Sequence, residues 1–190
     1  MDNRSRKELV QLIKRHVGDP RIGVEVGVYR GETSAKLLDA FPSLHLHVVD
    51  PWAVYDAADE YRKSGDGKSK LTAQEQFENY SLATKNCERS GKGRFTVHRS
   101  TSLDAAQNGI PKWLADGPGL CFAFIDGDHT AEAVLSDLVA WWPLVGQAGL
   151  LCGHDYGHKR YPVKQVVDRW ALVMKLQVGV VPGSLWWCRK

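Results

Sequence analysis

At 190 residues the chain is close to the size of one domain, long enough to enclose a sheet covered on both faces and too short for a separate substrate domain, so residues 1–190 read as a single unit. Hydrophobic residues at 43% and charged residues at 25% exclude a disordered chain. A net charge of +3 without a basic stripe gives nucleic acid no special support. No apolar run reaches the ~18 residues of a membrane span, and residues 1–20 lack a signal-peptide core. The four cysteines, Cys87, Cys121, Cys152 and Cys188, form no CxxC pair. A reduced, cytoplasmic setting without a membrane partner is therefore expected.

The stretch Arg4 to Val17 carries Leu9, Val10, Ile13 and Val17 at helical spacing, which predicts an amphipathic N-terminal helix within residues 1–20. Ile22–Gly27 then reads as a strand ending in glycine. Glu32–Phe41 reads as a helix with Leu37, Leu38 and Phe41 on one face, and Leu44–Asp50 as a second strand ending at an acid. Residues 51–70 are polar, with Ser64, Gly65, Gly67 and Ser69 near their end, and predict a long mobile loop. Such length in a connection from strand to helix suggests a lid.

Leu71–Arg89 follows as a helix with a weak apolar face. Phe95–His98 is the third strand, and residues 102–115 form a poorer helix broken at Gly109 and Pro111. The apolar run Leu120–Asp126 has the character of a strand buried on both faces of a parallel sheet. Ala131, Val134, Leu135, Leu138, Val139 and Trp142 mark the next helix. Gly149–Asp155 is the fifth strand, and Val163, Val166, Val167, Trp170, Ala171 and Met174 define the last helix. Leu176–Val181 and Ser184–Arg189, joined at Pro182-Gly183, should pair as an antiparallel hairpin. The class is α/β: a Rossmann-like, doubly wound, mostly parallel sheet of about seven strands with a C-terminal antiparallel hairpin.

Ligands of such sheets bind beyond the carboxyl ends of the strands. The first end is Glu25-Val26-Gly27-Val28-Tyr29-Arg30-Gly31, an E-x-G-x-x-x-G turn rather than the G-x-G-x-x-G dinucleotide fingerprint. An acid in this place would repel a pyrophosphate but attract the aminopropyl ammonium of S-adenosylmethionine (SAM). Asp50 stands 19 positions after Gly31, close to the ~20-residue spacing at which an acid takes ribose hydroxyls. Ser100, Thr101 and Ser102 offer hydroxyls after the third strand, where an adenine edge would lie. Hydroxyl residues also cap helices routinely.

With these elements in place, the chain resembles the class I SAM-dependent methyltransferases from about Arg21 onward. The likeness is carried by E-V-G-V-Y-R-G at 25–31, V-V-D-P-W at 48–52, F-I-D-G-D-H-T at 124–130 and G-H-D-Y at 153–156. The last two look like a subgroup that includes small-molecule O-methyltransferases. The resemblance implies SAM contacts at Glu25, Gly27, Gly31 and Asp50. It also implies that Asp126, His154 and Asp155 occupy the positions of a divalent-metal site found in some members. The middle position is acidic in those relatives and is His154 here. Imidazole suits Mn²⁺, Fe²⁺ or Zn²⁺ better than Mg²⁺, which favours all-oxygen shells.

Asp126, Asp128, His129, His154 and Asp155 should converge at the ends of strands four and five. Two mechanisms fit an acceptor hydroxyl. A metal on Asp126, His154 and Asp155 could lower its pKa, or His154 or His129 could take the proton directly, with Asp126 also bordering the cofactor. Asp128 could equally cap the following helix. The expected partners are SAM, a small-molecule acceptor and a possible Mg²⁺ or Mn²⁺. A homo-oligomer is open, with Trp141, Trp142, Trp186 and Trp187 serving core or interface. The competing readings are a non-catalytic SAM- or nucleotide-binding module, a nicotinamide-dependent oxidoreductase and an RNA methyltransferase.

Overall fold

The computed structural model describes residues 1–114, 117–182 and 184–190, at 112 and 113 the backbone alone. Its seven strands are β1 (Ile22–Val26), β2 (His45–Val49), β3 (Phe95–His98), β4 (Leu120–Ile125), β5 (Val145–Gly153), β6 (Gly179–Val181) and β7 (Leu185–Arg189). They form one sheet in the order β3-β2-β1-β4-β5-β7-β6. The first five pair in parallel, whereas β7 runs antiparallel to both β5 and β6. The predicted hairpin is therefore present, and its second strand is the one inserted against β5. Of its turn residues, Gly183 lies outside the described residues, as does Ala115 at the end of the expected helix 102–115.

Five principal helices cover the sheet: α1 (Asn3–His16), α2 (Glu32–Ala40), α3 (Ala73–Gly91), α4 (Ala131–Trp141) and α5 (Val163–Val173). On one face Leu9, Ile13, Leu37 and Leu38 pack on Leu46, Val48, Phe122 and Phe124. On the other, Leu138, Trp141, Val167 and Trp170 pack on Val24, Ala123, Ile125 and Leu151. The starts of these helices are written in side-chain chemistry. Asp2 accepts from Ser5 N at 2.7 Å, Thr72 and Glu75 form a reciprocal capping box, and Thr130 caps α4. Trp141 and Trp186 are fully buried in the core, and Trp142 and Trp187 are packed against it. Among the described residues no helix is long and apolar enough to cross a membrane.

Residues 51–70, expected as a long loop, contain a helical turn at Glu60–Lys63 and a 3₁₀ turn at Gly67–Lys70, and they bury Trp52, Tyr61, Asp66 and Ser69. Short Asx turns make this possible, because the Asp59 and Asp66 side chains accept N–H groups two residues on. On α4 the buried face is Val134, Asp137, Leu138 and Trp141, leaving Leu135 and Val139 exposed. Met174 is likewise exposed beyond the end of α5. The helix 102–115 is broken into a turn at Ser102–Asp104, a π turn at Ala105–Gly109 and a last turn from Pro111.

Candidate active site

The strand ends β1, β2 and β4 open onto a cavity of about 460 Å³, bordered by Gly27, Tyr29, Asp50, Thr101, Ser102 and Asp126 among others. Gly27 is required there. Its φ is +86°, and a Cβ would lie 2.3 Å from the Asp126 carbonyl oxygen. Gly31, also left-handed, faces α3 instead: its Cβ would meet the Ala83 backbone at 2.8 Å, and the residue does not border the cavity.

Asp50 shapes this wall. One of its oxygens accepts the N–H groups of Val28 at 3.0 Å and Tyr29 at 2.9 Å, and the other accepts that of Trp52 at 2.8 Å. Burial nonetheless raises its pKa against those bonds. The Trp52 indole N–H in turn donates to the Tyr29 carbonyl at 2.8 Å, so segment 51–70 is stitched to the first turn.

Glu25 sits behind the wall rather than on it. It is 1% exposed, does not border the cavity and accepts a bond from the Ser34 hydroxyl. Burial pushes its carboxyl up to about 8, with Ser34 opposing and the charge of Asp126 adding. Ser100 likewise falls outside the lining, whereas Thr101 and Ser102 belong to it.

Behind Ser102 runs a relay: the Trp141 indole donates to Ser102 Oγ at 2.8 Å, and Ser102 Oγ donates to Asp137. Asp137 is 4% exposed yet borders the cavity, and burial pushes it up to about 7. The sequence reading missed this residue. Its signal was an acid three positions after Val134 and four before Trp141, on the face of α4 that packs on the sheet.

Beyond Asp126 lies a second group of polar side chains. His154 Nδ1 is 3.2 Å from Asp155 Oδ2 and 3.7 Å from Asp126 Oδ1. His129 Nε2 is 2.9 Å from Asp155 Oδ2 and 3.7 Å from Asp126 Oδ1. Neither of these buried nitrogens makes an aligned hydrogen bond. Donor atoms of Asp126, His154 and Asp155 lie within 4.8 Å of one another. Asp155 holds a left-handed backbone, φ +58°, immediately beyond β5. Burial works against charge in this group, but His129 and His154 hold the Asp155 carboxyl well below its usual range. For His129, burial is outweighed by Asp126, Asp155 and Asp66, which together push it up to about 11.

The expected convergence is thus realised for four residues. Asp128 faces the cavity instead and accepts the Thr130 N–H at 2.8 Å, next to the helix cap. Asp126 borders both the cavity and the cluster. Asp66, whose carboxylate is 3.3 Å from His129 Nδ1, went unrecognised from sequence, whereas Tyr161, which after strand five could line the entrance, stacks its ring on His129 at 4.5 Å. His158, on the far side of Tyr161, stacks at 4.5 Å and is exposed along with Lys159 and Arg160.

The donor set fits a divalent cation. Two carboxylates and a buried, unsatisfied imidazole nitrogen converge on one point, and the nitrogen favours Mn²⁺, Fe²⁺ or Zn²⁺ over Mg²⁺.

Comparison with known proteins agrees with this architecture. The chain superimposes on the calicheamicin methyltransferase CalS11 with a TM-score of 0.68 at 13% identity, covering 99% of this chain and 80% of that one. An O-methyltransferase from Bacillus cereus in complex with S-adenosylhomocysteine (SAH) gives 0.67 at 14% identity, covering 100% and 82%. The O-methyltransferase NovP gives 0.62 at 18% identity, covering 96% and 79%. No curated protein sequence matches the chain. A family model described as a methyltransferase domain matches residues 24–156, which span the first strand, the cavity wall and the acid–imidazole cluster. The chain belongs to this methyltransferase domain family and is a SAM-dependent methyltransferase.

Proposed function

We propose that the protein transfers the SAM methyl group to a hydroxyl of a small molecule, assisted by a divalent cation held by Asp126, His154 and Asp155. The observation that carries this reading is the double position of Asp126, which borders the cofactor-sized cavity on one side and the cation-type cluster on the other. Methyl transfer from a sulfonium is an in-line displacement with an activated leaving group, so alignment and removal of the acceptor proton are the tasks left to the protein. A cation held there would act as a Lewis acid and lower the acceptor hydroxyl pKa. Gly27 and Asp50 shape the cofactor wall, and Thr101 and Ser102 stand where the adenine edge would rest. With no cation in the cluster, His129 holds a proton among three carboxylates, which leaves His154 as the base of a cation-free route.

The solved neighbours support an oxygen acceptor. NovP and the Bacillus cereus protein are O-methyltransferases, and CalS11 is described as a TDP-rhamnose 3′-O-methyltransferase. The test is transfer of labelled methyl from SAM to a panel of sugar and phenol hydroxyls, with Mn²⁺ or with chelator. Transfer should need the cation and disappear in Asp126→Ala. SAH binding without transfer to any acceptor would favour a non-catalytic SAM-binding module instead.

A further inference from the structure

We infer that Asp66, from the segment between β2 and α3, aims His129 into the Asp126–His154–Asp155 cluster as a fourth cation donor, so that packing of this segment and cation binding are coupled. The inference rests on the cation reading above and adds two residues to it.

The geometry begins with Asp66, which is 6% exposed although it lies in a polar, glycine-flanked stretch. Its Oδ1 accepts the Lys68 N–H at 2.9 Å, which caps the 3₁₀ turn and fixes the carboxylate. Its Oδ2 accepts from the Tyr61 hydroxyl at 3.3 Å and lies 3.3 Å from His129 Nδ1. The imidazole plane is set independently by Tyr161, stacked on it at an interplanar angle of 20°. With one nitrogen held by Asp66 and the ring plane fixed, Nε2 points at Asp155 and Asp126. His129 is 7% exposed. Nε2 is 2.9 Å from Asp155 Oδ2 and 3.7 Å from Asp126 Oδ1 without an aligned hydrogen bond to either, and a cation bound there would displace its proton. Ligating imidazoles characteristically give their other N–H to a carboxylate, and loss of that partner costs about 10–100-fold in metal affinity.

Coupling is reciprocal: if the packed segment improves cation binding, the cation must favour the packed segment. Mn²⁺ alone serves as the probe. In the wild type, Mn²⁺ binding measured by titration calorimetry should be accompanied by slower protease cleavage within residues 53–70. Asp66→Ala should weaken Mn²⁺ about 10–100-fold and abolish that protection. Asp66→Glu should recover part of both. In a His129→Gln background, Asp66→Ala should change Mn²⁺ affinity less than threefold, because its effect passes through His129.

Equal Mn²⁺ affinity in wild type and Asp66→Ala overturns the inference and leaves the cation reading standing. Absence of Mn²⁺ binding in the wild type overturns both. If Asp66→Ala fails to fold, judged by loss of the SAH-induced rise in Tm, His129→Gln decides alone: affinity within threefold of wild type overturns the inference.

Discussion

Glu25 shows how strongly the role of a residue depends on what surrounds it. From sequence, an acid before the glycine turn is a candidate partner for the ammonium of SAM. In the fold its carboxyl is enclosed by the sheet and α2, bonded to Ser34 and outside the cavity. The carboxyl is raised from 4.5 to about 8, so the native state keeps a proton that the unfolded chain releases. Its contribution to stability is full below about 4.5 and is lost as pH rises through about 8, with a slope of at most about 1.4 kcal/mol per pH unit. Glu25→Gln keeps an acceptor for Ser34 and removes that dependence. Denaturant unfolding between pH 5 and 9 should show a flatter profile and higher stability than wild type above pH 8, with SAH affinity unchanged within threefold. A large loss of SAH affinity would restore the direct-contact role.

Ser102 makes the complementary case, since one hydroxyl satisfies both the Trp141 indole and Asp137. Ser102→Ala leaves two buried polar groups unpaired, and a loss of about 1–3 kcal/mol in thermal or urea unfolding is expected. A change below about 0.5 kcal/mol would mean that water replaces the hydroxyl at both partners. The acids at strand ends were legible in sequence because the α/β pattern fixes where strands end. Asp137 was not, because an acid on a helix is ordinarily assigned to solvent.

At the scale of elements, the alternation of strand and helix was readable throughout, but the facing of α4 was displaced by one position. The ambiguity is physical: Leu135, Leu138 and Val139, with Trp141 and Trp142, supply apolar residues to two overlapping stripes, and periodicity alone does not choose between them. Packing against the sheet chooses Leu138 and Trp141, both fully buried, and leaves Val139 58% exposed. Leu138→Ala should therefore cost about 2–5 kcal/mol. Val139→Ala should stay within about 0.5 kcal/mol, as expected of a surface substitution. Similar losses in the two variants, measured by urea unfolding, would reverse the assigned face.

The short turns and buried side chains of segment 51–70 were not legible for a different reason. Its order comes from Asx turns and from long-range bonds such as Trp52 to the Tyr29 carbonyl and Gln76 to the Ala53 carbonyl, which leave no periodic trace.

For the molecule as a whole, the sheet order makes the site. β1 lies between β2 and β4, so Gly27, Asp50 and Asp126 are neighbours although they are far apart in sequence. β5 lies beside β4 and brings His154 and Asp155 to Asp126. A ligand filling the cavity touches strand ends and turns that exist only in the folded sheet, so it must stabilise the native state by mass action. At 100 times its Kd, SAH should add about 2.7 kcal/mol. For a chain of this size that is a rise in Tm of roughly 5–10 °C. NAD should produce no comparable rise, because the first turn is not the dinucleotide fingerprint and Asp126 and Asp128 on the cavity wall would face its pyrophosphate. The same scan on Gly27→Ala should lose the SAH response, since a methyl group there meets the Asp126 carbonyl and forces β1 and β4 apart at the proposed cofactor wall. A variant that keeps the full SAH shift would move the cofactor away from this turn.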